Sequence, residues 1–291
     1  MDGLVNWRYL ETLTNWGSKK DDTSALTFHN GADGWQRRID FESKFSDGQM
    51  AACARITDDD TVLDACCGTG RLTIPLARRA KYVYGLDASD KMLAWCKHNA
   101  EAAGLNNVET ILVNNWHSCT PGKEIPIVDI AVACISPAQG DLVKFSQCAR
   151  KYCYSLSFSH VPYRHCMYEL FYDAGLWGVS GSRKPVQGKE SMQDELNRQR
   201  LLGLNVAFNL LWDLGAYPEV SYVDGGWEHE ADTKEELYSY LADFGEVFPD
   251  KQEQFRANCD KRIKQTPEGR WHYAYPTQMY VLGWDPNHMK I

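Results

Sequence analysis

From residue 61 onward, short apolar runs alternate with stretches in which apolar residues recur every three or four positions. That alternation predicts strands interleaved with helices and a mainly parallel sheet. TVLDA (61–65), YVYGLD (82–87), VETILV (108–113), IVDIAVAC (127–134) and CYSLSF (153–158) read as five strands. RLTIPLARRA (71–80) reads as a helix with Pro75 near its first turn, where a missing N–H is tolerated. Ser89 can cap a helix running to Ala103, with Met92, Cys96, Ala100 and Ala103 on one face and Gly104 as its stop.

After residue 158 the rhythm changes. Residues 160–194 are far longer than the roughly 2–6 residues of an ordinary connection, and predict an insertion. A helix at about 195–214, a strand at 217–223, an acidic helical region at 233–264 and a last strand, MYVLGW (279–284), follow. Residues 1–55 read as mostly helical and aromatic. The expected organisation is an N-terminal helical cap (1–55) and an α/β domain (56–291) with a lid inserted at about 160–194. Tyr163, Tyr168, Phe171, Tyr172 and Trp177 give that lid either an apolar wall for a ligand or the buried face of a helix.

Composition narrows the classes. Of 291 residues, 44% are hydrophobic and 24% charged, ordinary for a globular chain with a sizeable core. The net charge of −8 disfavours nonspecific attraction to nucleic acid or to an anionic membrane. Residues 224–253 are strongly acidic, carrying Asp224, Glu228, Glu230, Asp232, Glu235, Glu236, Asp243, Glu246, Asp250 and Glu253 against Lys234 and Lys251, and read as a solvated face. No run approaches the ~18 apolar residues of a membrane span. The start, MDGLVNWRYLETL, has no basic-then-apolar signal, and the ten cysteines are scattered, so a cytoplasmic protein with reduced thiols is expected.

The informative chemistry lies in TVLDACCGTGRLTIPLA (61–77). A glycine turn between strand and helix commonly cradles a pyrophosphate. Asp64 at its entrance would repel one, whereas it would attract an ammonium or a sulfonium. S-adenosylmethionine carries both and no phosphate.

On these residues the sequence resembles the class I, Rossmann-like S-adenosylmethionine-dependent methyltransferases. Their first motif, D/E-x-G-x-G-x-G, stands here as Asp64-Ala65-Cys66-Cys67-Gly68-Thr69-Gly70, with Cys66 in place of the first glycine. Asp87, ending the second strand, occupies the position of the acid that receives the ribose hydroxyls. Asn115 and Trp116 follow the third strand, where the family meets adenine. Asp129 opens the fourth strand, and Cys134-Ile135-Ser136-Pro137-Ala138 end it where donor and acceptor meet. The resemblance implies a seven-stranded Rossmann-like sheet, mainly parallel with an antiparallel last strand. It implies S-adenosylmethionine as cofactor, S-adenosylhomocysteine as product, and donor contacts from Asp64, Cys66, Gly68, Gly70, Asp87, Ala88, Met92, Asn115, Trp116 and Cys134. Trp35 would cover the methionine arm, with Arg37 or Arg38 reaching its carboxylate.

His160, Tyr163 and His165 are the candidates for accepting a proton from the acceptor. Cys153, His160, His165 and Cys166 match no common zinc spacing, and no metal is expected. Ser136-Pro137-Ala138-Gln139 is faintly similar to the Asp/Asn/Ser-Pro-Pro-aromatic motif of amino methyltransferases, without its second proline and its aromatic residue. With the acidic charge, this leads to the expectation of methyl transfer by in-line displacement to an O, N or S of a small molecule, with neither nucleic acid nor membrane as partner. The alternative is a protein or nucleic-acid N-methyltransferase, or a non-catalytic S-adenosylmethionine-binding protein.

Overall fold

Val62 and Leu63 are neighbours in the chain but belong to different cores. Val62, Ile130, Val132, Tyr154, Leu156 and Val281 join one hydrophobic cluster, while Leu63, Ala65, Ala131, Ala133, Leu282 and Trp284 join another. Successive strand side chains point to opposite faces, so both faces of the sheet are covered. The computed structural model describes residues 5–12, 23–159, 163–178, 184–186 and 203–290.

The strands β1 (Thr61–Ala65), β2 (Tyr82–Asp87), β3 (Val108–Leu112), β4 (Val128–Cys134) and β5 (Ala149–Phe158) pair in parallel, in the order β3-β2-β1-β4-β5. Two short strands, β6 (Gly175–Trp177) and β7 (Lys184–Pro185), come next in the chain, then β8 (Glu219–Ala231), β9 (Glu246–Val247), β10 (Ile263–Gln265) and β11 (Trp271–Trp284). β11 runs antiparallel to β5, and β8 antiparallel to β11. The main sheet therefore has the expected seven strands with β11 reversed, and β10 adds an eighth at the start of β11. β7, β6 and β9 form a separate small sheet.

The helices are α1 (Trp7–Thr12), α2 (Thr23–Phe41), α3 (Lys44–Ala52), α4 (Thr73–Ala77), α5 (Asp90–Ala102), α6 (Leu142–Ser146), α7 (Tyr163–Phe171), α8 (Leu204–Asp213), α9 (Lys234–Ala242) and α10 (Gln252–Asp260). Ser89 caps α5 by accepting the Met92 amide, and Gly104 takes φ +69° beyond its end. α2 is fastened to α5 by a reciprocal amide pair between Gln36 and Asn99 (2.8 and 2.9 Å) and by the Trp95 indole on Asp33 (2.8 Å). Within the inserted stretch, α7 docks on α10, where Asn258 donates to the carbonyls of Leu170 and Tyr172 at the end of α7. Among the described residues no helix is long and apolar enough to cross a membrane.

The elements differ from the sequence reading in three places. β5 begins four residues early, through the exposed pair Arg150 and Lys151. β8 and β11 form one long antiparallel ribbon, so β8 continues to Ala231 and β11 begins at Trp271. The acidic region is two helices separated by β9 rather than one.

Candidate functional site

The turn after β1 is a tight, left-handed path. Cys66, Gly68 and Gly70 have φ of +63°, +57° and +90°. Left-handed backbone costs a non-glycine residue about 1–2 kcal/mol, and the turn is held by Cys67 N–H donating to Leu86 O (2.9 Å) and Gly70 N–H to Cys67 O (3.0 Å). The two glycines serve different ends. A side chain at Gly70 would place its Cβ 2.9 Å from Cys96 Sγ, so α5 can pack here only against glycine. At Gly68 a Cβ would meet nothing within 4 Å, and the turn faces open space.

Asp87 ends β2 directly beside this turn. Its Oδ2 accepts the Gly68 amide (2.9 Å) and its Oδ1 the Ser89 amide (3.0 Å). Burial raises the carboxyl's pKa, and these amides oppose the rise. An ionised carboxylate has about four acceptor positions, so with the Gly68, Ser89 and Ala88 amides on it Asp87 keeps acceptor capacity.

Asp64 lies beneath the turn and is 2% exposed. The Thr73 hydroxyl donates to its Oδ2 at 2.6 Å. Burial pushes its pKa up to about 6, against the opposing pull of Thr73 and Arg71.

Arg71, the residue after Gly70, joins four elements. Its Nε lies 3.3 Å from Glu42 Oε2, one Nη donates to Gln49 Oε1 (2.9 Å), and the other reaches Cys134 Sγ (3.2 Å) at the end of β4. Glu42 also receives Arg38 and the Trp227 indole (3.2 Å). Burial opposes the Glu42 charge, but the two guanidiniums and their hydrogen bonds outweigh it and hold the carboxyl below its usual range. The Cys134 thiol is pushed up to about 11 by burial.

The end of β4 is strained. Ile135 adopts φ +50°, a left-handed conformation rare for a β-branched residue. Its amide donates to Leu156 O (3.0 Å). Gln139 fixes the next residues by accepting the Ser136 amide (3.1 Å) and donating to Ser155 Oγ (2.7 Å) and Leu156 O (3.0 Å).

Asp64, Cys66, Gly68, Gly70, Asp87, Ala88 and Cys134 thus cluster at the carboxyl ends of β1, β2 and β4. Met92 is buried and gives its amide to the Ser89 cap. Asn115 forms a local turn, accepting the Ser118 amide (2.8 Å). Trp116 is 2% exposed and packs against Phe145 with the Lys144 ammonium over its ring, which assigns it to the core. Trp35 stacks under the Arg38 guanidinium (3.8 Å); Arg38 is already held by Glu42, and Arg37 is exposed.

Of the proton-acceptor candidates, His160 lies outside the described residues, Tyr163 opens α7, and His165 is buried on that helix. Cys153 and Cys166 belong to different cores, so these two thiols do not converge. Sequence reasoning missed Glu42, Gln49, Arg71 and Thr73. Arg71 had a signal as the charge entering an apolar helix; Glu42, in the link between α2 and α3, had none.

A family model described as a methyltransferase domain matches residues 62–149, the stretch from β1 to the start of β5. Residues 62–149 form a methyltransferase domain. Its strand order and strand-end acids are those of the class I, S-adenosylmethionine-dependent kind. The methyltransferase domain is similar to part of an uncharacterised RNA methyltransferase of Oceanobacillus iheyensis (46% identity over 56 residues, 19% of this chain and 12% of that one). It is similar also to one from Listeria innocua (32% over 98 residues, 33% and 22%). The 23S rRNA (uracil(1939)-C(5))-methyltransferase RlmD of Photobacterium angustum shares 50% over 52 residues (18% and 24%). The chain spans only 12–28% of the length of these and a further Listeria relative. Among solved structures, a SAM-dependent methyltransferase of Aquifex aeolicus aligns with 91% of this chain and 99% of that one at 12% identity and a TM-score of 0.39, a loose likeness.

The residues of the methyltransferase domain suit its cofactor, S-adenosylmethionine. Gly68 leaves open space over the turn, Asp87 retains acceptor capacity beside it, and Asp64 supplies a second buried acid. The expectation of a small-molecule acceptor without nucleic acid is corrected: the similar proteins above are named RNA methyltransferases. The physical reason lies in the use of a chain-wide charge. The 224–253 window holds ten acidic residues against two lysines, which is the entire excess, and outside it the two signs are equal in number. That window begins in β8, on the β11 side of the sheet, and continues through α9; its Trp227 reaches the crevice by way of Glu42.

Proposed function

We propose that the chain is an S-adenosylmethionine-dependent methyltransferase whose acceptor is RNA. The observation that carries the donor half is the Asp87 carboxylate bonded to the glycine turn at Gly68, next to open space. The acceptor half is supported by the names of the partial relatives.

When bound, S-adenosylmethionine supplies a methyl group already activated on sulfonium. The chain's own residues then have to bind, orient and exclude water, and good orientation alone is worth about 7 kcal/mol of barrier or more. In this reading Asp87 receives the ribose hydroxyls, and Asp64 with Asp87 favours a cationic guest. The turn from Cys134 to Pro137 receives the acceptor base. Gln139 is a positioning residue that holds this turn in its left-handed shape. α2 and α3 act as a cap over the donor; of the expected lid at about 160–194 only residues 163–178 and 184–186 are described, and the rest lies outside the described residues. A cytoplasmic setting accords with ten free thiols.

The test is transfer of label from tritiated S-adenosylmethionine to purified RNA. Ribonuclease-sensitive label with the wild-type chain, lost with Asp87→Ala, is the expected result. Label in small molecules or protein, with none in RNA, overturns the acceptor.

A further inference from the structure

Five charged side chains stand in or under the donor crevice, and they do not cancel. Glu42, Asp64 and Asp87 are carboxylates; Arg38 and Arg71 are guanidiniums. All are shielded from water: the side chains of Arg38, Glu42 and Arg71 are 9%, 7% and 15% exposed, and Asp64 and Asp87 as residues are 2% and 9% exposed. With every group ionised the set sums to one negative charge.

Arg71 is the anomaly in a crevice for a cation. It follows Gly70, and it reaches Cys134 at the end of β4, so its charge stands between the glycine turn and the strand end. A lone guanidinium there would repel a sulfonium. Glu42 answers it with a carboxylate at 3.3 Å, itself fixed by Trp227 on β8 and by Arg38.

We infer that Glu42 is a specificity residue: by neutralising Arg71 it lets the crevice prefer cationic S-adenosylmethionine over the neutral sulfur of the product, S-adenosylhomocysteine. The inference rests on the donor reading above. Donor and product share their adenosine and amino-acid parts and differ by the methyl group and its sulfonium charge. A residue that merely stabilises the fold moves both affinities together, whereas a charge-balancing residue moves their ratio. At an effective dielectric of about 20, a unit charge about 10 Å away shifts an equilibrium roughly tenfold.

The test is calorimetric titration of the full chain with S-adenosylmethionine and with S-adenosylhomocysteine. Glu42→Gln is expected to lower the ratio of donor to product affinity at least fivefold. Arg71→Gln, which leaves Glu42 paired with Arg38, is expected to raise it at least fivefold. Glu42→Asp keeps the charge and holds the ratio within twofold of wild type. Should Glu42→Gln fail to fold in a melting experiment, Arg71→Gln decides alone. A wild type that binds both ligands, with variant ratios moving less than fivefold, overturns this inference and leaves the donor reading standing. A wild type that binds neither overturns both.

Discussion

The Gly68 amide donates to Asp87 Oδ2 at 2.9 Å, joining the glycine turn after β1 to the acid that ends β2. The Ser89 amide takes the other oxygen of the same carboxylate and opens α5. One side chain therefore shapes the turn, anchors the start of a helix and keeps acceptor capacity beside the turn.

Replacing Asp87 separates these duties. Asp87→Ala is expected to weaken S-adenosylmethionine binding at least tenfold, since hydrogen bonds to a charged group are worth about 1.5–3 kcal/mol. Asp87→Asn retains an acceptor oxygen and loses the charge, and is expected to fall between wild type and alanine. Titration calorimetry measures both. An unchanged dissociation constant for the alanine variant removes Asp87 from the site.

The two glycines of the turn should respond differently to the same methyl group. Gly70→Ala adds a contact 2.9 Å from Cys96 Sγ to a backbone at φ +90°, and a loss of about 2–4 kcal/mol in denaturant unfolding is expected. Gly68→Ala carries the conformational cost alone, about 1–2 kcal/mol. Its methyl projects into the open space of the cleft, so donor affinity should fall more than stability. Equal stability losses would contradict this division.

Asp64 gives the site a pH dependence with a definite sign. Burial lifts its folded pKa to about 6, above the ordinary aspartate value of 3.8, so the folded state holds the proton more tightly than the unfolded one. Ligand-free stability should decline as pH rises from about 4 to about 6 and then level off. Donor affinity should do the opposite, climbing through pH 6 as the carboxylate forms to face a cation. Asp64→Asn is expected to reduce both slopes, leaving the share of Asp87, whose carboxyl burial also raises. Glu11, raised to about 7 by burial, contributes a slope of its own, so the comparison is between wild type and Asp64→Asn at each pH.

Much of the fold was legible because its determinants are local. The apolar runs of β1, β2 and β4 stand next to the turns that end them, Ser89 and Gly104 mark α5, and the acids at the ends of β1 and β2 are visible in a linear reading. What was hidden depends on distant partners. β8 continues through Asp224, Glu228 and Glu230 because β11 pairs with it along its whole length, and no residue within β8 announces that. Trp116 has the composition of a stacking residue, yet Phe145 and Lys144 bring it into the core. Glu42 and Arg71 lie 29 positions apart and meet only after α2 has packed against α5 and β8. The acceptor was misjudged for a related reason: a net charge is a sum, and the acids that dominate it gather in one segment.

The most direct test is a paired titration of the wild-type chain with S-adenosylmethionine and with NAD under identical conditions. Saturable, one-to-one binding of S-adenosylmethionine with no binding of NAD is the expected result, because the buried groups around the glycine turn carry a net negative charge suited to a sulfonium. Binding of NAD in preference to S-adenosylmethionine would mean that the turn holds a diphosphate, and would contradict the assignment of Asp64 and Asp87 to a cationic donor.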